Sequence, residues 1–122
     1  MAPEHAPESL SHLRLLKLYF RAFCFRDLRA LHSLAASYAV GEVKGVNSRF
    51  ARCKAAKLYR RGAAAGHAGC QYDYGLMILL GETKGEMSEG KQLIERAAAQ
   101  GHVGAADLMQ DHPLWARGAT NR

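Results

Sequence analysis

Two stretches of this chain are written twice. GEVKG at 41–45 returns as GETKG at 81–85, 40 residues later. RGAAAGHAG at 61–69 returns as RAAAQGHVG at 96–104, 35 residues later. A chain of 122 residues with an internal period of this size is confined to stacked copies of one small unit. One such unit cannot bury its own apolar face, so each must pack on the next.

The match extends into the flanks. At the offset of 40, Ala30 falls on Cys70, Leu34 on Tyr74, Ala35 on Gly75, Tyr38 on Ile78 and Gly41 on Gly81. Small and large apolar residues alternate on one side of a helix, and the small ones let a neighbouring helix approach. At the offset of 35, Leu58 falls on Leu93 and Tyr59 on Ile94. The five-residue difference lies between the GE-x-KG turn and the next helix, where an insertion disturbs least.

Composition says what the unit is made of. Three prolines among 122 residues, with many alanines and leucines, favour helix over sheet. The periodic pattern expects a helix at 9–23 and then helices at 26–40, 49–65, 68–80, 88–99 and 103–110. Gly66 and Gly101 follow alanine-rich helix ends, where glycine is favoured because it takes positive φ without strain. Ser48 and Ser88 stand where helix caps are expected. The fold class is all-α. Residues 1–8 are expected to be disordered, 9–112 to form a single helical-repeat domain with 9–25 as its capping helix and 26–110 as its repeats, and 113–122 to be a flexible tail.

These residues resemble the Sel-1-like repeat family, a branch of the tetratricopeptide-like helical solenoids. Cys70, Tyr74, Gly75, Ile78 and Gly81 fill its first-helix pattern, and Ala55, Leu58, Gly62, Ala63 and Gly66 its second. Gly90, Leu93, Ala97, Ala98 and Gly101 repeat the second. Met109-Gln110 stands where the family has Leu-Gly, so the last helix reads as a terminal cap. The resemblance implies a short right-handed α-solenoid of antiparallel helix pairs, about two and a half repeats long, with an extra N-terminal helix. It also implies a binding scaffold: family members generally hold other proteins together, and many are bacterial. By the family register, the concave face carries Arg29, His32, Tyr72, Leu76, Leu79 and Asp107, the expected partner-binding residues. The candidates for that partner are an enzyme that the protein regulates and a toxin or effector that it inhibits.

Residue chemistry points the same way. His67 and His102 occupy equivalent Gly-His turns, so they recur because the unit recurs. The other histidines show no metal-ligand spacing with cysteine or carboxylate. GEVKG and GETKG lack the phosphate-loop pattern and follow no strand. Cys70 sits at a small-residue packing position and reads as a buried spacer rather than a nucleophile. No catalytic residue, metal site or cofactor is expected. Three widely spaced cysteines, the absence of a secretory leader in MAPEHAPES and the lack of a long apolar run point to the cytoplasm, with no transmembrane segment.

Charge is unevenly spread. Residues 10–61 hold twelve Lys/Arg against Asp27 and Glu42; the remainder holds five against nine carboxylates. On the helix at 49–65, Arg49, Arg52, Lys57 and Arg60 share one face, a basic patch for nucleic acid or another polyanion. No nucleic-acid motif accompanies it, so this reading ranks second. The N-terminal helix crowds Tyr19, Phe20, Phe23 and Phe25 beside Arg14, Lys17, Arg21 and Arg26. One face must cap the repeats; a spare face would suit homodimerisation first and an anionic membrane surface after it.

Overall fold

The structure, a computed structural model, describes residues 11–115. Helices α1 (His12–Cys24), α2 (Leu28–Ala39), α3 (Ser48–Ala64), α4 (Ala68–Leu79), α5 (Met87–Ala99) and α6 (Val103–Asp111) follow one another, with a 3₁₀ turn at Pro113–Trp115. No strand occurs among the described residues, so the all-α class holds. The packing divides the chain between Leu58 and Tyr59, inside α3, into two compact units. The sequence pattern alone suggested one continuous repeat domain.

The duplication is also a duplication of geometry. Helix α4 begins and ends 40 residues after α2, and α5 ends 35 residues after α3. At the end of α2 the Gly41 N–H donates to Tyr38 O at 3.2 Å and the Glu42 N–H to Ser37 O at 2.9 Å. At the end of α4, Gly81 donates to Ile78 O at 3.1 Å and Glu82 to Met77 O at 2.8 Å. Gly66 and Gly101 close α3 and α5 with the same bond pair, to Ala63 and Ala98, while His67 and His102 reach back to Gly62 and Ala97. This satisfies carbonyls that a helix end leaves open, and it requires a left-handed residue just past the end. Gly66 and Gly101 both have φ of 95°.

Two expected caps move by one step. Helix α3 is capped by Asn47, whose Oδ1 accepts from the Phe50 N–H at 2.8 Å, rather than by Ser48. Helix α5 starts at Met87, one residue before Ser88, and Glu86 at its cap makes no side-chain capping bond. Asn47 prevails because its short amide reaches the open N–H three residues on, as a capping acceptor must.

In the first unit, Ser11 caps α1 and Asp27 caps α2, its carboxylate accepting from Arg29 and Ala30. Leu34 and Ala35 are fully buried on α2, and Ala22 is the buried residue of α1. The Tyr19 and Tyr38 hydroxyls lie 2.7 Å apart in a hydrogen bond, and Lys54 sits 5.8 Å from the centre of the Tyr19 ring.

In the second unit, α4 and α5 run antiparallel. The chain pairs Gln71 with Gln100, Gly75 with Ile94 and Leu79 with Gly90. Two glycines set the separation. A Cβ on Gly75 would stand 3.0 Å from Gly90 O and 3.0 Å from Ile94 Cδ1, and a Cβ on Gly90 would stand 3.1 Å from Gly75 O. The backbones therefore touch, and Ile94 is fully buried beneath them, a contribution of roughly 1.5–3 kcal/mol. Buried Gln71 is satisfied: its Nε2 donates to Ala63 O at 3.4 Å and its Oε1 accepts from Gln100 Nε2 at 2.8 Å.

The expected flexible tail at 113–122 begins differently. Pro113 leads into the 3₁₀ turn, and Trp115 packs against the Ile94–Ala97–Ala105 cluster while its Nε1 donates to Glu95 Oε2 at 2.8 Å. A large amphipathic ring with apolar surface to bury outweighs the chain entropy of a short terminus. Residues 116–122, and 1–8 at the other end, lie outside the described residues.

The glycine contact yields a direct test. Gly75→Ala should overpack the α4–α5 approach, because the opposing atom is a backbone oxygen that cannot swing aside. A loss of roughly 1–3 kcal/mol is expected from urea denaturation. An unchanged midpoint would mean that the two backbones do not meet at Gly75.

Candidate functional site

Three of the expected partner-binding residues come together on α4. Tyr72, Leu76 and Leu79 follow helical spacing along one side, and all three are half-buried against Ile94, Ala97 and Ala105. The Tyr72 ring stacks on His102, with centroids 4.5 Å apart and an interplanar angle of 27°. Helix α6 meets this row closely: a Cβ on Gly104 would lie 3.4 Å from Tyr72 Cζ and 3.1 Å from His102 Cε1. Asp107 stands one turn further along α6 and is exposed. Arg29, exposed, and His32, half-buried, belong to α2 in the first unit. The second unit thus gathers an apolar row on α4, with Asp107 exposed on α6.

His102 is a member that sequence reasoning assigned only to turn structure. It does serve the turn. Its Nδ1 accepts from the Ala105 N–H at 3.1 Å and so caps α6, and His67 caps α4 through Cys70 N–H at 3.2 Å. A ring that accepts at Nδ1 is neutral and carries its proton on Nε2. The same ring also supports Tyr72. Trp115, Leu108 and Met109 pack on the same cluster. Their involvement follows from how α6 lies on α5, which the repeat pattern does not specify.

The basic patch residues Arg49, Arg52, Lys57 and Arg60 are all exposed on α3. Among the described residues none of them pairs with a carboxylate, whereas Lys91 and Glu95 on α5 form an ion pair at 4.0 Å.

Three acidic side chains are held neutral by their surroundings. Burial pushes the Cys70 thiol up from 9.0 to about 12, and the Asp73 carboxylate adds to the effect. Burial, then Asp73 and Cys70, raise Tyr59 well above its ordinary range. Tyr38 rises from 10.0 to about 12 through burial and its hydrogen bond with Tyr19, partly opposed by Lys54. A thiol that resists ionisation is a poor nucleophile, so Cys70 acts as a packing group. Among the described residues no cluster of three His, Cys, Asp or Glu side chains could hold a metal ion, and no helix is long and apolar enough to cross a membrane.

Comparison with family models, with curated proteins and with solved structures finds no match for this chain.

Two outcomes follow from this geometry. His102→Ala should cost about 0.5–2 kcal/mol by loss of the α6 cap, and His102→Asn should recover much of it because the amide oxygen replaces the acceptor. Thermal unfolding with each variant checks this. The raised acids also set an alkaline limit. Each is neutral in the fold and ionises more readily once unfolded, so its contribution is complete below the unfolded value and is lost as pH rises through the folded one. The melting temperature should hold to about pH 9 and then fall toward pH 12. Tyr38→Phe should reduce the slope above pH 10.

Proposed function

We propose that this chain is a non-catalytic module of Sel-1-like helical-repeat type that binds another protein in the cytoplasm. The observation that carries the reading is the Tyr72–Leu76–Leu79 row. After α4 has packed, these three side chains keep part of their apolar surface exposed at the spacing by which an amphipathic helix is gripped. Asp107, exposed on α6 in the same unit, supplies a polar contact. The repeated helix pairs support the reading, since stacked repeats offer an extended face for a partner. The partner is an enzyme that the module regulates or an effector that it restrains.

A second reading rests on Arg49, Arg52, Lys57 and Arg60, which are exposed and carry no carboxylate partner among the described residues. Four unpaired cations on one helix suit a polyanion such as nucleic acid.

One pair of variants separates the two. Tyr72→Ala with Leu76→Ala should lose a protein captured by the immobilised wild-type chain, because a few buried anchors dominate most interfaces. Circular dichroism must first show that this variant is folded, since both residues also support the core. Arg52→Glu with Arg60→Glu should leave capture unchanged. Loss of capture in the charge-reversed variant alone, with wild-type binding to nucleic acid that falls steeply with salt, would transfer the function to α3.

A further inference from the structure

Helix α1 presents three chemically different sides. Leu15, Leu18, Tyr19 and Ala22 are half-buried or buried. With about 3.6 residues per turn, Leu13, Leu16 and Phe20 fall on a second side. They are 63%, 67% and 55% exposed, which is unusual for three large apolar residues in register. Phe25 extends the ridge: it is 68% exposed, and its ring meets Phe20 edge-on at 5.1 Å. A shallow apolar hollow of about 430 Å³, lined by His12, Leu13, Leu15, Leu16 and Tyr19, runs beside it. The third side carries Arg14, Lys17 and Arg21. All three are exposed, and among the described residues none pairs with a carboxylate.

The charge on α1 decides what this ridge can meet. Its sequence, HLRLLKLYFRAFC, contains cations and no anion. A second copy of the same helix would set Arg14, Lys17 and Arg21 against their equivalents with nothing to neutralise them. An anionic surface is the complement. A helix with leucine and phenylalanine on one side and Arg/Lys on the next lies in the interface of a bilayer, its apolar side among the acyl chains and its cations at headgroup level. A convex ridge needs no matching groove there, whereas a protein partner would have to supply one. The surroundings reinforce the match: residues 11–58 carry ten Lys/Arg against Asp27 and Glu42.

We propose that α1 docks the protein on an anionic lipid surface, with Leu13, Leu16, Phe20 and Phe25 inserted and Arg14, Lys17 and Arg21 on the headgroups. The site belongs to the first unit and does not depend on the function assigned to the α4–α6 face.

Co-sedimentation of the full chain with vesicles tests the proposal. Partition into phosphatidylcholine vesicles containing about one third phosphatidylserine should exceed that into pure phosphatidylcholine by roughly a hundredfold, with three cations favouring the anionic surface. Arg14→Gln with Lys17→Gln and Arg21→Gln should remove most of that preference. Leu16→Glu with Phe20→Glu should abolish binding while leaving the circular dichroism spectrum intact. Phe20→Trp supplies a readout that needs no loss of binding: its emission should move to shorter wavelength on the anionic vesicles. Arg49→Gln with Arg52→Gln, on α3, should change little. No partition into the anionic vesicles overturns the proposal, as does partition that survives the Leu16 and Phe20 changes. A concentration-dependent dimer dissolved by those same changes would assign the ridge to a second copy. Binding of a synthetic acidic amphipathic helix, without vesicle binding, would assign it to a protein. Either result overturns the lipid assignment.

Discussion

A residue with positive φ one step past a helix end is what allows this chain to reverse direction. Four reversals, at Gly41, Gly66, Gly81 and Gly101, use it with the same pair of backbone hydrogen bonds. An L-residue with a side chain pays about 1–2 kcal/mol to stand there, and glycine does not. After α3 and α5 the turn does more. The histidine that follows each glycine reaches back to finish one helix and uses its ring to begin the next. Finishing and starting are thereby joined in two residues, so the angle between successive helices is set locally. The end of α1 uses positive φ without a glycine: Arg26 takes φ of 53° with its side chain present.

In the second unit the reversal brings α4 and α5 face to face, and the glycines at 75 and 90 let them close until the backbones touch. Close approach has a further effect. It uses the side of α4 that carries Gln71, Gly75 and Leu79, and it leaves Tyr72 and Leu76 half-buried toward the cluster that α6 completes. The incomplete cover of these large apolar residues is the surface on which the proposed binding rests. Cys70 and Tyr59 lie where burial opposes ionisation.

The first unit is chemically distinct. Its cations outnumber its carboxylates, and its leading helix turns leucine and phenylalanine outward. In the second unit, residues 59–115 hold five Lys/Arg against seven carboxylates. The two units thus differ in charge and in apolar surface, one carrying a half-covered apolar row and the other a cationic ridge.

The sequence by itself determined the helices, their turns and their recurrence. Those features rest on interactions within a few residues, namely helical periodicity, glycine past a helix end and a repeated Gly-His step, so the offsets of 40 and 35 reappear in the helix bounds. The small-residue register also placed Gly75 at a helix contact, because only a glycine there tolerates an opposing backbone. The register of the resembled family named Tyr72, Leu76 and Leu79 as a face, and the sequence could not tell how far each would be covered. Tertiary structure decided that, along with the stacking of His102 on Tyr72, the anchoring of Trp115 and the outward facing of Leu13 and Leu16. The physical reason is range. Exposure depends on which distant segment lies across a face, and an apolar residue at helical spacing looks the same in one dimension whether a neighbour covers it or leaves it bare.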